Sequence, residues 1–264
     1  MLSQARMQKP KELAAERLDR LRTILRETSI VRVDDLCNAL EVSPATVRRD
    51  LEELERRGEA RRVHGGAVAV ERKHYEEPVF DDKTAIAPEE KQRIARKAVE
   101  LIGPRETIYL DGGSTVLEMA RLLHERSDIT VVTNSLRAAS ELGGSGPRLI
   151  LIGGELRRLS QTMVGPLTRF MLEELHIDKA FMGTIGISLV EGLTTTDPGE
   201  AYTKGLVMGR AREVVLLADS NKVGMVTFAR AGKLSEARTL VTDAPLPEEY
   251  EEYCAAHGVT VVVA

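Results

Sequence analysis

The sequence predicts an α/β protein in two parts: a small helical domain closed by a β-hairpin, and a larger, mostly parallel α/β domain behind it. Three observations predict this. Helical segments with apolar residues near 3.6-residue spacing crowd into residues 12–57. Two very short extended pieces separated by a glycine pair follow at 59–68. From Lys91 onward, short runs rich in Val, Ile and Leu alternate with helical segments, as parallel strands covered on both faces do.

In ELAAERLDRLRTILRE (12–27), Leu13, Leu18, Leu21 and Leu25 fall near one side of an amphipathic helix. Ser29 closes it, Ile30–Val33 leads on, and DDLCNAL (34–40) makes two helical turns with Leu36 and Leu40 facing inward. After a tight Glu41-Val42 connection, Ser43 and Pro44 start the next helix. The serine hydroxyl can accept a first-turn amide, and proline stands where no amide hydrogen is needed. Val47, Leu51 and Leu54 form the apolar stripe of that helix and Gly58 ends it. The order helix, short helix, tight turn, helix, hairpin describes a winged helix-turn-helix over 1–68, whose second paired helix is presented to a groove.

Residues 69–88 are polar, contain Pro78 and Pro88 and carry no sustained period, so they read as a linker. In the domain 89–264, KQRIARKAVELI (91–102) is helical, and TIYLDGGST (107–115) is a strand entering a glycine turn and the helix LEMARLLHE. The strand ITVVTN (129–134), the helix SLRAASEL and the strand RLILIGGEL (148–156) follow. LTRFMLEEL is helical, KAFMGTIGIS is a strand with glycine-rich ends, and a helix around AYTKGLVMGRA precedes the strand EVVLLAD (213–219). Thr239–Thr242 and Val259–Val263 are the last strands, with the helix EEYEEYCAA between them.

Composition narrows the function. No run of 18 apolar residues and no apolar leader occur, so a cytoplasmic chain without a membrane partner is expected. Cys37 and Cys254 lie far apart and read as reduced thiols, and the five histidines make no H-x-x-x-H pattern; neither a metal nor a cofactor is expected. Net charge is −4, which alone argues against a nucleic-acid partner. The distribution answers that objection: 14 Lys and Arg stand against 12 Asp and Glu up to Gly66, and 23 against 29 in the rest. Six arginines fall between Arg48 and Arg62.

VSPATVRRDLEELERRG (42–58) could be an ordinary solvated helix laced with ion pairs such as Arg49 to Glu53 and Glu52 to Arg56. Its start favours double-stranded DNA instead. The apolar stripe leaves Ala45, Thr46, Arg48, Arg49 and Glu52 outward. Small Ala45 and the Thr46 methyl let the helix sink into a major groove, where arginines one turn on reach guanine edges or phosphates. Ser43 and the free amides of the helix start suit a phosphate. Arg61, Arg62 and His64 beside Gly65-Gly66 form a wing for an adjacent groove or backbone. Val42-Ser43, Thr46-Val47-Arg48-Arg49-Asp50-Leu51, Leu54-Glu55-Arg56-Arg57-Gly58 and Arg62-Val63-His64-Gly65-Gly66-Ala67 together resemble the amino-terminal domain of the DeoR family of bacterial repressors. That family more often has a bulkier apolar residue at Ala60.

Behind it, polar-glycine segments stand at the carboxyl ends of expected strands: Asp111-Gly112-Gly113-Ser114-Thr115, Thr133-Asn134-Ser135 and Gly153-Gly154. Open α/β sheets bind ligands outside such ends. Each segment could simply turn the chain and cap a helix. Together with Lys204, Asp219 and Lys222 they suggest one effector pocket. Gly113, Ser114 and Thr115 would hold a phosphate at a helix start, with Thr133, Asn134, Ser135, Gly154 and Lys204 or Lys222 assisting, and Asp111 and Asp219 on sugar hydroxyls. No G-x-x-x-x-G-K-[ST] occurs and no G-x-G-x-x-G follows a strand, which disfavours nucleotide hydrolysis and dinucleotide binding.

Here too the chain resembles the DeoR family, whose effector domain is similar to ribose-5-phosphate isomerase. The matching stretches include Ile108–Thr115, Thr130–Leu136, Leu151–Gly154, Asp178–Gly183, Glu200-Ala201-x-x-Lys204 and Leu217–Lys222, with Gly205 and Asn221 departing from the usual pattern. The resemblance implies a repressor that senses a phosphorylated sugar or polyol and leaves its operator when occupied. Alternatives are an activator of the same architecture or an active sugar-phosphate isomerase or deaminase. Affinity arguments imply a homo-oligomer, dimer or tetramer, because one winged domain makes only a small interface with DNA.

Overall fold

The computed structural model describes residues 14–28, 30–56, 60–63, 66–69, 77–144 and 146–264. The chain divides into two compact units, Met1–Lys73 and His74–Ala264.

The first unit runs α1 (Ala14–Thr28), β1 (Ile30–Arg32), α2 (Val33–Leu40), α3 (Pro44–Arg56), β2 (Ala60–Val63) and β3 (Gly66–Ala69). The expected stripes make its core: Leu21 and Leu25 of α1 meet Leu36 and Leu40 of α2 and Val47, Leu51 and Leu54 of α3. The hairpin β2–β3 is joined by β1, giving an antiparallel sheet in the order β1-β3-β2 with Ile30 opposite Val68 and Arg61 opposite Val68 on its other side. Ile30–Val33 is therefore more than a lead-in; most of it is the third strand. Between α2 and α3, Glu41 takes a left-handed conformation (φ 53°, ψ 40°), which turns the chain sharply without a glycine. The expected helix start is present, since the Ser43 hydroxyl accepts the Thr46 amide at 3.3 Å.

The second unit opens with α4 (Phe80–Ala85) and α5 (Pro88–Val99). It continues with β4 (Thr107–Leu110), α6 (Ser114–Arg121), β5 (Thr130–Thr133), α7 (Leu136–Leu142) and β6 (Arg148–Leu151). A hairpin of β7 (Glu155–Arg157) and β8 (Thr162–Val164) precedes α8 (Arg169–Glu173) and β9 (Ile177–Gly183). Then come β10 (Gly186–Ser188), β11 (Gly192–Thr195), α9 (Pro198–Arg210), β12 (Ala211–Leu217), β13 (Ala229–Gly232), β14 (Thr239–Thr242), α10 (Glu248–His257) and β15 (Thr260–Val263). Among the described residues, seven strands form one wholly parallel sheet in the order β15-β14-β12-β9-β4-β5-β6. Successive strand residues alternate between its faces. Ile108, Leu110, Val131 and Val215 pack with α5, α6 and α7, whereas Tyr109, Val132, Val214 and Leu216 pack with α8, α9 and α10.

Three expectations need correction. Residues 69–88 are not a linker throughout, because Phe80–Ala85 is helical, Phe80 is 3% exposed, and the second unit begins at His74. RLILIGGEL is two strands, β6 and β7, belonging to different sheets. KAFMGTIGIS likewise divides into β9 of the main sheet and β10, which joins β11 and β13 in a small antiparallel sheet. In both, glycines break an apolar run that reads as continuous.

Candidate functional site

Ala45, Arg48, Arg49 and Glu52 are exposed on α3, and Thr46 and Ser43 flank its open start. Asp50, the acid next to the two arginines, points the other way: it is 6% exposed and takes a two-pronged ion pair from Arg17 of α1, at 2.5 and 3.0 Å. No ion pair joins Arg49 to Glu53, and among the described residues Arg48 and Arg49 have no carboxylate partner. The ion pair from Arg49 to Glu53 that a salt-laced solvated helix would carry is therefore not formed. No acidic residue stands in the first turn of α3, so positive charge and helix start face outward together. Arg61 and Arg62 lie on β2, opposite Val68 and Ala67; His64 lies outside the described residues.

In the second unit the strand order reverses between β4 and β9: β5 and β6 continue on one side of β4, β12, β14 and β15 on the far side of β9. A cavity opens at the carboxyl ends of these strands. Gly112 to Val116 line it from the β4–α6 turn, Gly183 to Ile185 from β9, and Leu217 to Asp219 from β12. Glu200 and Lys204 reach it from α9, and Lys222 from the turn after β12. Gly113 is the residue before α6, at φ 146° and ψ 154°, and no side chain caps the helix. Ser114 is thus not a cap, and the residues at the start of α6, Gly113 to Val116, line the cavity.

The charges inside are mostly paired. The Asp111 carboxylate accepts the Gly183 amide at 2.9 Å and an ion pair from Lys204, which also donates to the Gly183 carbonyl at 3.0 Å. Burial pushes the Asp111 carboxyl above its ordinary range, against the opposing pull of Lys204 and the Gly183 amide. Asp111, expected on sugar hydroxyls, here fixes Lys204 and joins β4, β9 and α9. Glu200 accepts Thr195 at 2.8 Å and Arg157 at 3.2 Å. Asp219 is 2% exposed and accepts the Asn221 amide at 3.2 Å. Lys222 has no ion pair among the described residues and is the uncommitted cation of the lining.

Four predicted residues are not brought to the cavity. Thr133 donates to the Leu110 carbonyl at 2.6 Å and accepts the Ser135 amide, and Ser135 caps α7 through the Ala138 amide at 3.2 Å. Asn134 donates to the Met163 carbonyl at 2.9 Å. At Gly154 a Cβ would lie 2.9 Å from the Thr168 methyl, so the glycine serves close packing. The cause is strand order: β5 and β6 lie beyond β4, away from the reversal. In their place the structure brings Glu77, Phe80, Lys83 and Lys91 to the lining. Only Lys91 was legible in advance, since it interrupts the buried face Lys91, Ile94, Ala95, Ala98 of α5.

A helix with unpaired basic residues at its exposed start, in a winged unit, followed by an α/β unit with a polar cavity at its strand reversal, defines a one-component DNA-binding regulator. The comparisons give the family. The DeoR-like helix-turn-helix domain matches residues 17–73, and the DeoR C terminal sensor domain matches 86–244. This chain belongs to the DeoR family of sequence-specific transcriptional regulators. It is 37% identical over 250 residues to the HTH-type transcriptional regulator GlpR of Haloferax volcanii, covering 95% of this chain and 98% of that one. It is 36% identical over 231 residues to the Lactose phosphotransferase system repressor of Streptococcus mutans, covering 86% and 91%. A D-ribose-5-phosphate isomerase in complex with phospho-erythronic acid superposes on 52% of this chain and 54% of its own, at TM-score 0.40 and 21% identity, a likeness from which no function is transferred. No helix among the described residues is long and apolar enough to cross a membrane.

Proposed function

We propose that this protein is a cytoplasmic, homo-oligomeric repressor of carbohydrate-metabolism genes, released from its operator by a phosphorylated sugar or polyol bound in the cavity. One observation carries the reading: the uncapped start of α6 and the uncommitted Lys222 line the same cavity at the strand reversal. Backbone amides converging with a free ammonium are what a phosphate monoester requires. In this scheme Gly113, Ser114 and Thr115 hold the phosphate, Lys222 neutralises it, Lys204 stands behind with Asp111, and Asp219 faces the hydroxyls. On the DNA side, Ala45, Thr46, Arg48 and Arg49 enter the major groove, Ser43 lies near a phosphate, and Arg61, Arg62 and His64 form the wing contact. The relative whose name is Lactose phosphotransferase system repressor supports both the sign of regulation and the class of gene.

Calorimetry with a panel of sugar phosphates and their parent sugars tests the cavity. A phosphorylated compound should bind while its parent does not. Lys222→Ala should weaken that binding by about 2 kcal/mol, the worth of one hydrogen bond to a charged group. Equal affinity for a sugar and its phosphate would overturn the reading.

A further inference from the structure

Not all the charge around the cavity is there to meet a ligand, because the second unit supplies an anion of its own. Glu77 lies just ahead of α4, and its side chain is 2% exposed. The carboxylate pairs with Lys83 and with Arg157, at 2.6 Å to the nearer guanidinium nitrogen, and accepts the Thr196 hydroxyl. Burial pushes its carboxyl up, yet these partners pull it down to about 2, so it is ionised at neutral pH. The other end of α4 is held by Lys91, whose ammonium donates to the carbonyls of Lys83 and Ile86. Between the two clamps Phe80 is buried, with the Arg137 guanidinium 5.6 Å from its ring centre.

Glu77, Lys83 and Lys91 all line the cavity. Lys83 and Lys91, one at each end of the strap, are therefore charges that a phosphate in the cavity would contest. We propose that Glu77 is a built-in anionic occupant of the effector cavity, and that an arriving phosphate takes over its partner Lys83 and unlatches the strap Glu77–Ala85. The proposal rests on the reading of the cavity as a phosphate-ester site. A phosphate carries more negative charge than a carboxylate and three acceptor oxygens. It repels Glu77, competes for Lys83, and draws Lys91 from the carbonyls that close α4. A latch of purely structural purpose would have no need of cavity-lining groups at both ends. The strap is also the first described part of the second unit.

Hydrogen–deuterium exchange on the full-length protein, titrated with inorganic phosphate at constant ionic strength against a chloride control, tests this. Exchange across residues 77–86 is expected to rise about tenfold on phosphate binding and to stay unchanged in chloride. Glu77→Gln should exchange fast without phosphate and bind phosphate about tenfold tighter in calorimetry, because one charge-assisted competitor is gone. Thr196→Val, which removes a neutral partner of Glu77 and keeps every charge, should shift both readouts the same way by less. A strap that stays protected with phosphate bound overturns the proposal, as does unchanged or weaker phosphate affinity in both variants. Lys222→Ala separates the two readings. If it weakens phosphate binding while the strap stays protected, only the strap proposal fails. If phosphate does not bind the wild type, or binds Lys222→Ala undiminished, the cavity reading fails and the strap proposal with it.

Discussion

Glu77→Gln tests the electrostatics of the strap through stability alone. The carboxyl is displaced from 4.5 to about 2 because Arg157, Lys83 and Thr196 outweigh the effect of burial. At about 1.4 kcal/mol per unit of pKa, that displacement contributes roughly 3 kcal/mol to the folded second unit. A depressed carboxyl contributes fully above its unfolded value and loses the contribution as pH falls through the folded one. The stabilisation is therefore complete above about pH 5 and disappears between about 4.5 and 2. Glutamine keeps the shape and part of the hydrogen bonding, so roughly 3 kcal/mol is an upper bound for the deficit of Glu77→Gln at neutral pH. Tyrosine fluorescence in urea isolates the relevant unit, since the chain has no Trp and all five Tyr lie beyond residue 74. Wild type and mutant should differ most at neutral pH and converge as the solution is acidified. A constant offset at every pH would refute the reasoning, because it would mean that Glu77 contributes by packing and not by charge.

Arg48→Ala and Arg49→Ala should each weaken DNA binding while melting like wild type. A lost base contact costs about 1–3 kcal/mol on the preferred site only, whereas a lost phosphate contact weakens every duplex and lowers the salt slope by about one; anisotropy at several salt concentrations tells them apart. Asp50→Ala removes the two-pronged ion pair with Arg17 and should destabilise the winged unit by about 3 kcal/mol, read as an earlier loss of helical circular dichroism. Gly113→Ala should cost about 1–3 kcal/mol in urea although its Cβ meets nothing within 4 Å, because φ 146° suits glycine alone. Ser114→Ala should cost under about 0.5 kcal/mol, since Ser114 caps no helix.

What the sequence revealed follows from how local each signal is. The stripes Leu36/Leu40 and Val47/Leu51/Leu54, the Ser43-Pro44 start and the short apolar strands are periodic within a few residues, and they lie where expected. The glycine turn at Asp111–Thr115 was equally legible, because a strand, a turn and a helix adjoin in the chain. Strand order is not local. Nothing in Thr133-Asn134-Ser135 says that β5 lies beyond β4 from the reversal, where its polar residues bond within the fold and do not line the cavity. Glu77 and Arg157 are 80 residues apart and sit in segments without period, and only the folded chain joins them. Gly205 is a different case. The resemblance marked it as a departure, and the structure gives a reason: a Cβ there would lie 2.9 Å from the Ala231 carbonyl, where α9 presses on β13.

The central claim is that one chain reads DNA with α3 and that the cavity of its second unit governs that reading. The most direct measurement is fluorescence anisotropy of a labelled duplex, selected by the full-length protein from a random pool, with and without the sugar phosphate that binds in calorimetry. The phosphorylated ligand should lower duplex affinity in the wild type, and the parent sugar should leave it unchanged. Lys222→Ala should bind the duplex as tightly as wild type and need far more ligand for release. Duplex affinity that is indifferent to a ligand demonstrably bound in the cavity would contradict that claim.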